Sequence, residues 1–335
     1  MSEEINKCVH CGFCLESCPT YVVTRSEVHS PRGRIMIAKL GLESEGIYTC
    51  MFCRRCEEAC PSGVVFSKIM SSYRKPKYME KMSYRVLETP YLLYLLLRFS
   101  NYSRNQIVSR LREFATSINK PLEYINQNAE VILFPGCITS VLFRHVVEKA
   151  FKFLSKRFKV TILNTCCGLA HYSGGDTKRA EEIRFKLREY FRNKRVILLS
   201  SNCAAYLKEN SFSNVFDFSE FLIKENLIDN AKKKELEVTV HYPCHAHLLG
   251  LSKYIREGVE RLVSRVKEME DPSFECGAGG DRFIFSQDIS DLVSTEKKRK
   301  IGKSGATTVI STNPVCSLAI LKMGYNVIHI AELLD

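Results

Sequence analysis

Cys8-Val-His-Cys-Gly-Phe-Cys-Leu-Glu-Ser-Cys-Pro19 and Cys50-Met-Phe-Cys-Arg-Arg-Cys-Glu-Glu-Ala-Cys-Pro61 are two runs of one form, C-x2-C-x2-C-x3-C-P. In each run the first three thiolates sit close together on a tight loop and can hold three corners of an iron–sulfur cubane; the fourth lies beyond their reach. The proline that follows fixes φ and removes a backbone donor, so the chain turns away there. This is the spacing of [4Fe–4S] ligation, and its double occurrence points to a protein that handles electrons.

In two-cluster ferredoxins the fourth cysteine of each run serves the other cluster. Cys8, Cys11, Cys14 and Cys60 are therefore assigned to one [4Fe–4S] cluster, and Cys50, Cys53, Cys56 and Cys18 to the other. Such cross-ligation makes the clusters the core of a small α-helical module whose folding is inseparable from metal binding. Zinc sites pair two C-x2-4-C hooks, often with histidine, and fit triple runs ending in Cys-Pro poorly. The polar start MSEEINK is no signal peptide, and fifteen cysteines in 335 residues then suggest metal rather than disulfides, in a cytoplasmic setting.

The formal charge of +12 is unevenly placed: residues 74–128 carry ten basic and four acidic side chains, whereas residues 1–73 balance eight against eight. Thiolates bound to iron offset much of the remainder, and no zinc finger, helix-turn-helix or RNP-type aromatic motif accompanies the charge, so nucleic acid is not an expected partner. The longest apolar run, Tyr91 to Leu97, falls far short of the roughly 18 residues that span a bilayer. The stretch 74–128 mixes basic residues with Tyr84, Tyr91, Tyr94, Arg98, Phe99, Tyr102 and Arg104. It reads as a helical hairpin packed on its own protein or at a subunit interface, with peripheral contact to an anionic membrane face as the alternative. Between the cysteine runs, Ser30 suits an N-cap and Pro31 a first helical position, predicting a helix to about Leu42. Arg32 and Arg34 at its start either offset cluster charge, meet a partner or are simply solvated.

From residue 129 the chain repeats itself. Glu130 to Cys137 answers to Glu237 to Cys244, Cys166-Cys-Gly168 to Glu275-Cys-Gly277, Val196 to Cys203 to Val309 to Cys316, and Val215 to Leu222 to Val327 to Leu334. The offsets of 107, 109, 113 and 112 residues confine the drift to loops. Short apolar runs alternate with helix-period stretches such as 176–194 and 286–303, the pattern of βαβ units and a mostly parallel sheet in each half. Open α/β sheets bind ligands outside the carboxyl ends of their strands. Cys137, Cys166, Cys167 and Cys203 should therefore meet at one edge of the first half, and Cys244, Cys276 and Cys316 at the matching edge of the second. The expected architecture is α+β overall: a ferredoxin-type module (1–73), a basic helical connector (74–128), and two α/β repeats (129–236 and 237–335), the second degenerate.

Cys8 to Cys14, Ser30-Pro-Arg-Gly-Arg-Ile35 and Cys60-Pro-Ser-Gly-Val64 resemble the front of the glycolate oxidase iron–sulfur subunit and its lactate-oxidising relatives. Cys166-Cys-Gly168, Asn202-Cys-Ala-Ala-Tyr-Leu-Lys208, His241-Tyr-Pro-Cys-His245, Cys276-Gly-Ala-Gly279 and Asn313-Pro-Val-Cys316 resemble the CCG domains shared with heterodisulfide reductase. The resemblance implies an electron-transfer subunit working between an FAD-containing dehydrogenase subunit and a downstream acceptor, a quinone or another carrier. It also implies a third [4Fe–4S] cluster, conventional or non-cubane, at Cys137, Cys166, Cys167 and Cys203. The alternative is a heterodisulfide reductase-like thiol/disulfide oxidoreductase with a catalytic cluster there. Two departures bear on this: Ser200 and Asn313 stand where the family has the first cysteine of a C-x-x-C, and Glu275 replaces the first cysteine of the second CCG. Cys244, Cys276 and Cys316 then hold a cluster only if Glu275 or a histidine, such as His245 or His247, completes it; His171 follows the first CCG. No flavin, Walker A or G-x-S-x-G motif is present, so substrate oxidation belongs to a partner.

Overall fold

Two four-stranded sheets of one design fill the chain beyond residue 129. The computed structural model describes residues 2–99, 112–113, 117–229 and 231–334; Tyr102 and Arg104 of the connector lie outside them. β1 (Val131–Phe134), β2 (Val160–Ile162), β3 (Arg195–Leu198) and β4 (Val215–Asp217) pair in the order β2-β1-β3-β4. β5 (Lys234–His241), β6 (Val263–Val266), β7 (Thr308–Ser311) and β8 (Asn326–Ile328) pair as β6-β5-β7-β8. Every pairing is parallel. Val-Ile-Leu-Phe of β1 is buried along its whole length, as a parallel strand covered on both faces must be. Helices Thr177–Tyr190 and Gln287–Gly302 occupy the two stretches whose periodicity predicted them.

In each sheet the chain reverses its direction of winding between the two central strands, so the crevice falls between β1 and β3 and between β5 and β7. Cys137 and Cys203 follow β1 and β3; Cys244 and Cys316 follow β5 and β7. One continuous apolar core joins the halves, with Val131, Leu133 and Ile197 from the first, Val238, Ile255 and Val309 from the second, and Leu93 and Leu97 from the connector.

That connector begins as two helices, Tyr78–Glu88 and Pro90–Arg98, with Pro90 at the first helical position where its missing N–H costs nothing. Tyr84, Leu93 and Leu97 are buried, so the helical hairpin packs on its own protein. Among the described residues no helix is long and apolar enough to cross a membrane.

The N-terminal module has a small core of its own, Ile5, Ile35, Ile47, Phe66, Ile69 and Met70, packed around its cysteines. Helix Pro31–Leu40 starts as expected: Ser30 Oγ accepts from Gly33 N at 2.9 Å, and Gly41 ends the helix in the left-handed conformation. The module is anchored to both repeats. Arg55 grips Asp271 through two bonds of 3.0 and 2.8 Å, and Arg54 reaches Glu209 at 2.7 and 2.6 Å. Buried Arg74 donates to the carbonyls of Ile47, Cys50 and Ser173 at 2.8, 3.0 and 2.7 Å, tying the second cysteine loop to the first repeat.

Candidate redox centre

The two cysteine loops share one backbone form. His10 and Gly12 of the first have positive φ (56° and 88°), and so do the equivalent Phe52 and Arg54 of the second (54° and 66°). A non-glycine residue held there costs about 1–2 kcal/mol, which Arg54 offsets through its bonds to Glu57 at 3.1 and 2.8 Å and to Glu209. The structure gathers the cysteines crosswise. Cys8, Cys11, Cys14 and Cys60 line one small cavity, together with Cys56; Cys18, Cys50, Cys53 and Cys56 line another. All are free thiols. Burial pushes Cys14 up to about 11 and Cys53 and Cys56 well above the ordinary thiol range. Sulfurs grouped in fours in this way, none of them in a disulfide, fit a metal group that takes them as thiolates.

The two arginines of Ser-Pro-Arg-Gly-Arg separate. Arg34 is buried, with Nη1 3.8 Å from Cys18 Sγ and its other nitrogens on Gly46 O (2.6 Å), Thr20 Oγ1 (3.0 Å) and Thr49 Oγ1 (3.3 Å). Arg32 pairs with Glu27 on the exposed side while lining the cavity of Cys8, Cys11, Cys14 and Cys60.

The strand-end cysteines of the two repeats face a single cavity of about 290 Å³. Its walls hold Cys137, Cys166, Cys167 and Cys203 from one half and Cys244, Cys276 and Cys316 from the other. Cys167 Sγ and Cys203 Sγ are 3.0 Å apart. Neighbouring Cys137 and Cys167, together with the Gly168 N–H, hold the Cys166 thiol well below its usual range, and both are themselves pushed up. In the second half Glu275 takes the part of Cys166: its Oε1 accepts from Cys276 Sγ at 3.3 Å and Gly279 N at 3.2 Å, and Cys244 bonds the same carboxylate. Much of the remaining wall is apolar and comes from the connector hairpin, through Met79, Met82, Leu87, Leu93, Leu96 and Leu97. That both thiol edges meet in one space, closed by the connector, was not foreseen from the sequence.

The histidines divide by role. His171 is fully buried between Glu88 (3.1 Å) and Asp176 (3.4 Å), and His247 rests on Ser252 at 3.0 Å; neither lines the cavity. His245 does line it, with Nε2 2.8 Å from Phe52 O, and burial next to Arg54 pushes it down to about 4. Sequence reading missed His241. It ends β5 where the first repeat has Phe134, and its ring lies against Cys276 and Cys316. The replacement of a core aromatic by histidine between matched repeats was the signal that would have found it. Behind it, burial pushes Lys297 down to about 8, against the raising influence of Cys276, Asp271 and Cys316.

Residues 4–64 match the 4Fe-4S dicluster domain, and residues 131–208 and 238–321 each match the cysteine-rich CCG domain. The chain thus belongs to the iron–sulfur proteins that join a dicluster ferredoxin module to two CCG domains, and it is a redox protein. It is similar to the glycolate oxidase iron-sulfur subunit of Escherichia coli (strain K12), at 22% identity over 369 aligned positions covering 96% of this chain and 90% of that one. Lactate utilization protein A 1 of Bacillus mycoides (strain KBAB4) is 27% identical over 245 positions, 62% of this chain and 96% of the relative. A fumarate reductase (CoM/CoB) subunit of Methanothermobacter marburgensis is 27% identical over 239 positions, which span 64% of this chain but 48% of that longer protein.

Proposed function

We infer that this chain is the electron-transfer subunit of a flavin-dependent 2-hydroxyacid oxidoreductase, acting on glycolate or lactate. It would relay electrons between an FAD-containing subunit and a downstream acceptor. The observation that carries the reading is the crosswise gathering of eight module cysteines beside one cavity that both repeats line with thiols. Cys8, Cys11, Cys14 and Cys60 are the holders of one [4Fe–4S] group, Cys18, Cys50, Cys53 and Cys56 of a second, and Cys137, Cys166, Cys167 and Cys203 of a third. Such groups supply one-electron carriage.

The protein's part is placement and environment. Arg34 compensates charge at Cys18, and the buried Met51 and Phe52 of the second loop form part of the cavity wall, joining module to cavity. The methionine and leucine wall suits an apolar acceptor such as a quinone. The hairpin's exposed Tyr78, Met82, Tyr91, Leu92 and Phe99 are where peripheral membrane contact would fall.

A second reading, a thiol/disulfide oxidoreductase, is favoured by one observation: seven thiols share the cavity, with Cys166 the most readily ionised of its trio. Affinity capture of the anaerobically prepared protein tests the first reading. The expected result is co-purification of a flavoprotein that oxidises glycolate or lactate, with about twelve iron atoms per chain. About four iron atoms or fewer, or disulfide reduction by the chain alone, would displace it.

A further inference from the structure

The second repeat holds a group of donors that the three cysteine sets leave unused. A ring nitrogen of His241 and the sulfurs of Cys276 and Cys316 all lie within 4.8 Å of one another, and all three residues are buried. His241 Nδ1 is 3.0 Å from the carbonyl of Pro272, so it carries the ring proton and donates it there. Its Nε2, equally buried, has no hydrogen-bond partner. A histidine that ligates metal is held this way, one ring nitrogen donating to a carbonyl and the other presenting its lone pair. Lys297 Nζ reaches the same Pro272 carbonyl at 3.0 Å and places a cation beside two sulfurs that bind metal as thiolates.

The compactness of the trio distinguishes it from the other cysteine sets. A [4Fe–4S] group takes each thiolate on a separate iron and so keeps its ligands apart. A single tetrahedral ion with bonds of roughly 2.0–2.3 Å draws its donors to about 3.3–3.8 Å from one another. Among the described residues no other three His, Cys, Asp or Glu donors come within 4.8 Å of one another, those of the module and of the first repeat included.

We propose that His241 Nε2, Cys276 and Cys316 bind a single divalent cation of the zinc class, with its fourth position on the cavity side, where both cysteines form the wall. Two thiolates and an imidazole make a borderline-soft set suited to zinc rather than to magnesium or calcium. Zinc carries no redox chemistry, so the second repeat shapes the cavity instead of extending the electron path. A thiol that reached the fourth position would be bound as thiolate.

The inference stands apart from the electron-transfer reading, because zinc and iron are counted separately. The full chain, prepared anaerobically from cells supplied with both metals, should hold one zinc in addition to its iron. X-ray absorption at the zinc edge should show two sulfur neighbours at about 2.3 Å and one nitrogen at about 2.0–2.1 Å. His241→Ala should lower zinc at least tenfold with iron unchanged. His241→Cys, which keeps a ligand in place if the alanine variant fails to fold, should retain zinc and exchange the protein nitrogen for sulfur. Wild type without zinc would overturn the proposal. So would a His241→Ala protein that keeps its zinc or loses a cluster's worth of iron, or a nitrogen neighbour that persists in His241→Cys.

Discussion

Ser200 and Asn313, which hold equivalent places in the two repeats, are hydrogen-bonded to each other: Ser200 Oγ donates to Asn313 Oδ1 at 3.0 Å. Both are buried and both line the shared cavity. These are the positions at which each repeat lacks the first cysteine of its C-x-x-C. The two departures are therefore one structural feature, a polar clasp across the pseudo-symmetric junction. Adjacent bonds support it, from Ser201 N to Thr312 O at 2.9 Å and between the hydroxyls of Ser201 and Thr312 at 2.7 Å. Ser200→Ala leaves the buried Asn313 oxygen unpaired and should cost about 1–2 kcal/mol, read as a lower midpoint in anaerobic denaturation with iron content unchanged. An unaltered midpoint would mean that the shared apolar core alone holds the halves together.

Crosswise ligation predicts which pairs of cysteine losses coincide. Cys11→Ser combined with Cys60→Ser should abolish one module cluster, since both belong to the same set. Cys11→Ser combined with Cys18→Ser should abolish both. Ligation within each run predicts the reverse, and spin integration of the reduced proteins, with iron counts, separates the two.

Much of this was legible because metal ligation and repetition leave marks at fixed spacing. The Cys-Pro runs, the Ser30-Pro31 helix start and the β1/β5 and β3/β7 correspondences all reappear in three dimensions. What the sequence withheld are relations between distant segments. Nothing local in Met79, Met82 or Leu96 says that the connector walls a redox cavity, and nothing local in Arg55 and Asp271, 216 residues apart, says that they pair. His241 stands out only in three dimensions, by its unpartnered Nε2 and the two sulfurs gathered against its ring.

Gly279 sits where the second repeat meets the module, with φ +52° and Met51 Sδ well inside contact distance of where a Cβ would stand. Gly279→Ala must both strain the backbone and displace Met51, next to Cys50 of the second proposed cluster set. Gly280, with φ +74° and nothing within 4 Å, supplies the control, since Gly280→Ala meets only the conformational cost of about 1–2 kcal/mol. The Gly279 variant should be clearly the less stable of the two and should alter the signal of the Cys18/Cys50/Cys53/Cys56 cluster while sparing the other. Equal behaviour of the two variants would show that Met51 yields freely.

His145 and Glu332 tie the start of helix Arg144–Ser155 to the end of the chain, Nε2 to Oε2 at 3.3 Å. The Glu332 carboxylate raises the histidine above its ordinary value of 6.5, against burial that lowers it. A group whose folded value is raised contributes its full stabilisation below the unfolded value and loses it as pH rises through the folded one. The pair should therefore support the fold at pH 6 and cease to do so once pH passes the raised value. The histidine side chain is 53% exposed, so screening holds the effect to about 1 kcal/mol or less. The gap in denaturation midpoint between wild type and His145→Gln should be largest near pH 6 and close by pH 8.5. A gap that widens with rising pH would mean that His145 acts through packing and not through its charge.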